Sequence, residues 1–336
     1  MTTACRVSVV IPTYQRAASL QRALQALCRQ TLSPNDYEVI VSIDGSQDDT
    51  PAMVSEFPAP YRLRSIWQPN RGRAAACNTG IRIAKGQLLV LLDDDMEPID
   101  GFLAAHLHAH PEGSRYGVVG AAPVPFTSGS PAVIQYVGRK FNSHIETLAQ
   151  PRYQFKLRDF YSGNFSIDRE VILEVGGFDE SFRIYGNEDL ELSVRLSKAG
   201  VQLVFSPEAV AYQHYTKEFA ALARDNIAKG RTAVLLATKH PETYRNLKLS
   251  MYAQASRKWR FLRAGLLQLS AWAPVPEWII LFMTWLARRR VASFNYFCFA
   301  ALDYFYWLGA RSALRDLGET GKQVPNTTEA LSKLRS

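Results

Sequence analysis

The sequence predicts an α/β fold built on a doubly wound, mostly parallel sheet, followed by a helical C-terminal region. Three observations carry this. Four short β-branched or apolar runs alternate with three helical stretches over residues 7–92, and each run ends in a polar or turn-forming cluster. The run Leu88-Leu89-Val90-Leu91-Leu92 is continuously apolar, as a strand buried on both faces must be. Beyond residue 218 the strand signals stop and aromatic-rich helical patterns take over.

The elements follow in order. Val7-Ser8-Val9-Val10-Ile11, closed by Pro12, is the first buried strand. Residues 17–30 place Leu20, Ala23, Leu24 and Leu27 at helical spacing. Residues 37–43 form a second strand ending in Asp44-Gly45-Ser46; Asp48, Asp49 or Thr50 caps the next helix, and Pro51 is tolerated in its first turn. A third strand over residues 61–67 leads through Pro69-Asn70-Arg71-Gly72 into a helix over 74–84, then to the strand that ends at Asp93-Asp94-Asp95. This β-α-β-α-β-α-β order implies parallel strands with right-handed crossovers. The later part is mixed, with strands over 118–121, 160–167 and 201–205 and helices from 168 and over 187–199. The expected organisation is a nucleotide-binding half (1–115), an acceptor-binding and catalytic half (116–217) and the helical region (218–336).

With 39 Lys and Arg against 31 Asp and Glu, the net charge is +8 and the pI is near 9.3. That balance suits nucleotide diphosphates, nucleic acids and anionic membranes equally. The basic residues do not alternate with stacking aromatics, which argues against nucleic-acid binding. Cys5, Cys28, Cys77 and Cys298 are scattered, and residues 1–6 lack a basic segment ahead of a hydrophobic core. Both features point to reduced thiols and a cytoplasmic location.

The aspartate triplet is the most informative motif. At the polar end of a buried strand it lies where open α/β sheets bind ligands. Crowded carboxylates repel unless a cation lies between them, and hard oxygen ligands suit Mg²⁺ or Mn²⁺. Asp93 and Asp95, two apart, project to the same side of an extended segment, and Asp94 to the other.

The order Pro12-Thr13-Tyr14, Asp44-Gly45-Ser46, Asn70-Arg71-Gly72-Arg73, Asn78-Thr79-Gly80, Leu91-Leu92-Asp93-Asp94-Asp95, Gly176-Gly177-Phe178-Asp179 and Asn187-Glu188-Asp189 resembles the family 2 glycosyltransferases over roughly residues 7–215. Their Rossmann-like fold is called GT-A. The resemblance implies a metal-dependent, inverting transfer of one sugar from a nucleotide-diphospho-sugar to a hydroxyl. It implies donor contacts from Pro12, Thr13, Tyr14, Asp44, Arg73, Asn78, Asp93, Asp94 and Asn164. The ring of Tyr14 would stack on the base, and Asp44 would accept from an imide N–H of uracil or thymine, favouring UDP- or dTDP-linked donors. Asp93, Asp95 and His214 would hold the metal. Asp189 would be the catalytic base, with Glu188 in reserve or as an acceptor ligand. Ser162-Gly163-Asn164-Phe165 resembles the loop over the donor sugar. One departure is Cys77, where the family often has arginine before the asparagine. Two other readings stay open: a nucleotidyltransferase, which would need a glycine- and lysine-rich loop after the first strand, and a non-catalytic, membrane-attached binding protein on a degenerate fold.

Residues 278–287 and 294–308 are apolar and aromatic but short of a spanning length. Arg257, Lys258, Arg260, Arg263 and Arg288-Arg289-Arg290 flank them. Such a pattern fits peripheral contact with the cytoplasmic membrane face, hence a glycan or lipid-linked acceptor, with a helical subdomain or dimer face as the alternative.

Overall fold

A computed structural model describes residues 5–319. Two compact units divide the chain. The first runs to Pro125 and adds Val137–Arg183 and Glu188–Tyr215. The second comprises Phe126–Tyr136, Ile184–Asn187 and the chain from Thr216 onward. It therefore draws two short segments from within the expected 116–217 half. Residues 320–336 of the expected helical region lie outside the described residues.

The first unit is a mixed sheet of eight strands: β1 (Val7–Thr13), β2 (Tyr37–Asp44), β3 (Arg62–Gln68), β4 (Leu88–Leu92), β5 (Met96–Pro98), β6 (Tyr116–Ala121), β7 (Asn164–Asp168) and β8 (Gln202–Gln213), in the order β3-β2-β1-β4-β7-β6-β8-β5. Neighbours are parallel from β3 to β4, as the alternating order requires. Strand β7 then enters antiparallel between β4 and β6, and β5 pairs antiparallel with the end of β8. The uninterrupted parallel run thus belongs to the first half of the sheet, while in the second half β6 and β8 pair in parallel between antiparallel neighbours. Every residue of β1, β2 and β4 is buried, which explains the unbroken apolar run of β4 and the mainly apolar runs of β1 and β2, where the buried Ser8 hydroxyl donates to Glu38 at 2.8 Å.

Helices α1 (Ala17–Leu27), α2 (Thr50–Glu56) and α3 (Arg73–Ile83) make the crossovers. Helix α1 buries Leu20, Ala23, Leu24 and Leu27, the periodic set read from the sequence. Pro51 lies in the first turn of α2, where its missing N–H costs nothing, and Asp48 accepts from the Thr50 N–H at 3.2 Å. Helices α4 (Phe102–His108), α5 (Ala132–Leu148), α6 (Arg169–Glu174) and α7 (Glu188–Lys198) complete the set before β8 ends. Asp168 caps α6 through the Glu170 N–H at 2.8 Å.

In the second unit, α8 (Phe219–Lys239), α9 (Arg257–Leu269), α10 (Val275–Arg288) and α11 (Phe294–Glu319) pack together. Helices α8 and α11 approach closely because Gly230 faces the Tyr306 carbonyl and Gly309 the Ile227 carbonyl; a Cβ at either would collide with backbone. Arg263, expected among surface charges, is instead buried. Its guanidinium meets Asp303 at 2.9 Å and lies 4.4 Å and 5.0 Å from the Tyr252 and Trp307 ring centres. No described helix is long and apolar enough to cross a membrane.

Candidate active site

The parallel half of the sheet decides where polar strand ends gather, because β1, β2, β3 and β4 all finish on one edge. Four clusters of predicted residues lie there.

Pro12 and Thr13 end β1 in buried backbone, and the exposed Tyr14 follows. The Thr13 hydroxyl donates to Asp94 Oδ2 at 2.7 Å. Asp94 is buried and also takes Arg16 Nη1 at 3.1 Å. Burial pushes its carboxyl up to about 7, against the opposing pull of Arg16 and Thr13. Arg16 reaches Asp95 Oδ2 as well, at 3.3 Å. Burial and the neighbouring Asp93 raise the Asp95 carboxyl.

Asp44 at the end of β2 is also buried, and its oxygens are engaged. Oδ1 accepts from Gln68 Nε2 at 2.8 Å and from the Arg71 N–H at 2.9 Å, and Oδ2 accepts from the Gly72 N–H at 2.9 Å. It thereby shapes the loop that delivers Arg73 to the start of α3. Asn78, one turn into that helix, clamps a second loop. Its side chain accepts from the Phe178 N–H at 2.8 Å and donates to the Phe178 carbonyl at 2.9 Å and to Glu180 at 3.0 Å. Both residues thus spend most of their bonding capacity on the loops around the site. Cys77 is fully buried, and burial pushes its thiol up to about 12, so it packs as a small apolar group.

Arg73 joins the two acidic motifs. Its Nη2 and Nε contact Asp93 Oδ1 at 2.7 Å and 3.1 Å, and Nη1 reaches Asp189 Oδ1 at 3.2 Å with Glu188 at 3.9 Å. Ser162 accepts from the same Nη1 at 2.9 Å and itself donates to Asp189 Oδ1. Asp189 reaches this point from the first turn of α7, and Asp93 from the end of β4. Glycine is required at 163, since a Cβ there would overlap the Asp93 carboxylate. The Gly163 carbonyl also accepts the Asp93 N–H at 2.9 Å.

Two predicted residues have different surroundings from those expected. Asn164 is not a loop residue: it opens β7, is fully buried and donates to the Ala121 and Ala209 carbonyls at 2.9 Å each, while His106 bonds its Oδ1 at 2.9 Å. That saturated side chain ties strands together and has no bond to spare for a sugar. His214 is brought beside Asp95 by its backbone, whose N–H donates to the Asp95 carbonyl at 2.9 Å, but its ring pairs with Glu97 Oε2 at 2.7 Å. Ser162, Arg16 and Glu97 contact the predicted residues and were given no role from the sequence. Ser162 lay inside a motif already noted and Arg16 closes the segment that follows β1, whereas Glu97 carried no distinguishing pattern.

Among the described residues no three His, Cys, Asp or Glu side chains converge as a ready metal cage. The donor set still fits a hard cation. Asp95 Oδ1 is buried without a hydrogen-bond partner, and Asp93 lies close enough to raise the Asp95 carboxyl.

Comparison with known proteins places this arrangement. A family model described as glycosyl transferase family 2 matches residues 8–176, half of the chain and the whole span from β1 through Asp93 to Ser162. The chain belongs to glycosyl transferase family 2. A second model, the N-terminal domain of galactosyltransferase, matches residues 143–218, which include Asp189. Validoxylamine A glucosyltransferase of Streptomyces hygroscopicus subsp. limoneus is 33% identical over 229 residues, covering 60% of this chain and 50% of that protein. Chondroitin synthase of Escherichia coli is 28% identical over 270 residues, covering 71% of this chain and 39% of its own. The chain thus spans about half the length, or less, of these curated relatives. In fold, this family 2 member is similar to a mannosyltransferase from Pyrobaculum calidifontis solved with GDP-Man and Mn²⁺, with a TM-score of 0.55 at 21% identity over 91% of this chain and 88% of the other. That likeness establishes the GT-A architecture expected from the sequence.

Proposed function

We propose that this protein is an inverting glycosyltransferase that moves one sugar from a nucleotide-diphospho-sugar to a hydroxyl of a glycan or lipid-linked acceptor, with a divalent cation. The observation that carries this reading is the meeting of Asp93 and Asp189, from opposite halves of the first unit, on one arginine and one serine. A donor-side carboxylate and a base must share a cleft for direct displacement.

Asp189 takes the proton of the acceptor hydroxyl as its oxygen bonds to the anomeric carbon, and the bond from that carbon to the diphosphate breaks. The nucleoside diphosphate leaves with the electron pair. Ser162 fixes which Asp189 oxygen is engaged, leaving Oδ2 for the acceptor. Arg73 balances Asp93 and Asp189 before the donor arrives, and its planar fork suits the diphosphate. Asp95, with Asp93 beside it, would hold Mg²⁺ or Mn²⁺, which when bound supplies positive charge for the departing diphosphate. Tyr14, exposed beside the Asp44 loop, supplies a face for the base. A remaining lone pair on Asp44 Oδ2 suits an imide N–H, as in UDP or dTDP.

The test pairs binding with turnover across UDP-, dTDP- and GDP-linked sugars, with and without Mn²⁺, using wild type and the folded variants Asp189→Asn and Asp95→Asn. Asp189→Asn is expected to keep nucleotide affinity and lose roughly 10²- to 10⁴-fold in turnover. Asp95→Asn is expected to lose the metal enhancement of binding. Wild-type behaviour of both variants would overturn the mechanism.

A further inference from the structure

Helix α10 is apolar on two sides, and the second unit uses only one of them. Val275, Met283 and Leu286 are buried. Trp278, Leu281, Phe282 and Trp285, spaced i, i+3, i+4 and i+7, form a second stripe that faces solvent. The stripe continues onto the start of α11, because the Phe282 ring is 5.7 Å from that of Phe297, which is 5.7 Å from Tyr296. Trp272, in the turn before α10, is 91% exposed, and Leu281 and Tyr296 are 68% and 74% exposed. A monomer rarely leaves so continuous an apolar surface uncovered.

The charge beside this surface identifies what covers it. Residues 257–302 contain seven Lys and Arg against a single acid, Glu277. Arg263 is consumed inside by Asp303, but Arg288 and Arg289 emerge exposed at the C-terminal end of the stripe. Arg290 follows, with one guanidinium nitrogen on the Gly129 carbonyl at 2.8 Å. A second copy of the chain would bring these like charges toward one another across a self-complementary interface. Residues 320–336 offer Val324, Ala330, Leu331 and Leu334 but no aromatic ring, too little apolar surface to cover the stripe. Indole and phenol rings around a Leu and Phe centre, rimmed by arginine, match the boundary between acyl chains and anionic headgroups.

We propose that the outer stripe of α10 and the first turn of α11 dock on an anionic lipid bilayer, lying in the interface plane without crossing it. Trp278, Leu281, Phe282, Trp285, Tyr296 and Phe297 enter the acyl boundary, while Arg288 and Arg289 meet lipid phosphates. This surface belongs wholly to the second unit, so it does not depend on the transfer chemistry proposed for the first.

The full chain would be sedimented with vesicles of phosphatidylcholine, alone or mixed with phosphatidylglycerol, and its tryptophan emission followed. Binding to the mixed vesicles, an emission shift to shorter wavelength and weakening by salt are expected. Because their side chains point to solvent, W278S, L281S and W285S leave the fold intact, and together should reduce binding more than tenfold. Replacing Arg288 and Arg289 by glutamine should cost about fivefold each on the mixed vesicles and little on phosphatidylcholine. Failure of the wild type to bind either vesicle, or undiminished binding by the serine variant, overturns the proposal. So does a wild-type dimer in sedimentation velocity that the serine substitutions dissociate, since the face would then belong to a second copy.

Discussion

Arg73 and Arg263 each hold an aspartate at hydrogen-bond distance, yet the two ion pairs have different surroundings. Arg73 lies at a strand edge where Asp93, Asp189 and the guanidinium itself all keep partial access to solvent. Arg263 lies between Tyr252 and Trp307, and its partner Asp303 is closed in by Lys248, Trp259 and Trp307. Burial pushes the Asp303 carboxyl up, and Lys248, Trp259 and Arg263 outweigh it, holding it below its ordinary value. An enclosed pair with every oxygen engaged works as a structural pin. A half-open pair that joins two motifs can exchange partners when a ligand arrives. The same chemistry thus serves rigidity in one unit and, on the proposed function, donor binding in the other, and solvent access makes the difference.

That contrast can be broken by experiment, beginning with the buried pair. Asp303→Asn leaves Arg263 charged and enclosed without its counter-ion, which should cost about 3–5 kcal/mol of unfolding free energy in urea. A loss below about 1 kcal/mol would mean the pair is not the pin described. Arg73→Gln should cost less, about 1–2 kcal/mol, because its carboxylate partners Asp93 and Asp189 keep partial access to water and the pair is partly screened. Its effect should appear in calorimetric affinity for a nucleoside diphosphate, which falls about ten- to a hundredfold. Equal affinity in Arg73→Gln and wild type would remove the guanidinium from the donor site.

A polar cluster without charge sharpens the same point. His106 and His110 both bond Ser166, at 2.7 Å and 2.8 Å, and burial lowers them to about 3 and about 4. Their folded values lie below the ordinary 6.5, so their contribution is complete above that pH and is lost as pH falls toward 4. Each histidine protonated only on unfolding adds a slope of about 1.4 kcal/mol per pH unit within that window. His110→Gln should flatten the pH dependence of the urea midpoint between pH 6.5 and 4, and an unchanged slope would contradict the neutral cluster.

Sequence patterns by themselves determined the first half of the fold and the identity of the acidic motifs. Parallel strands buried on both faces are near-continuous apolar runs, so β1, β2 and β4 were legible, and the polar clusters closing them marked the binding edge. Helical spacing located α1, the aspartates at the polar end of β4 stood out by pattern, and Glu188 and Asp189 at the start of α7 were named from the resemblance to the family 2 motifs. Partners across the chain were decided only by tertiary structure. No local pattern pairs Arg73 with Asp189, turns the His214 ring to Glu97, or tells a buried Asn164 from a loop residue, because those outcomes depend on which strands become neighbours. Nor does helical periodicity say which side of an apolar helix is covered. The second stripe of α10 became a surface only when Val275, Met283 and Leu286 took the interior and left Trp278, Leu281 and Trp285 in water.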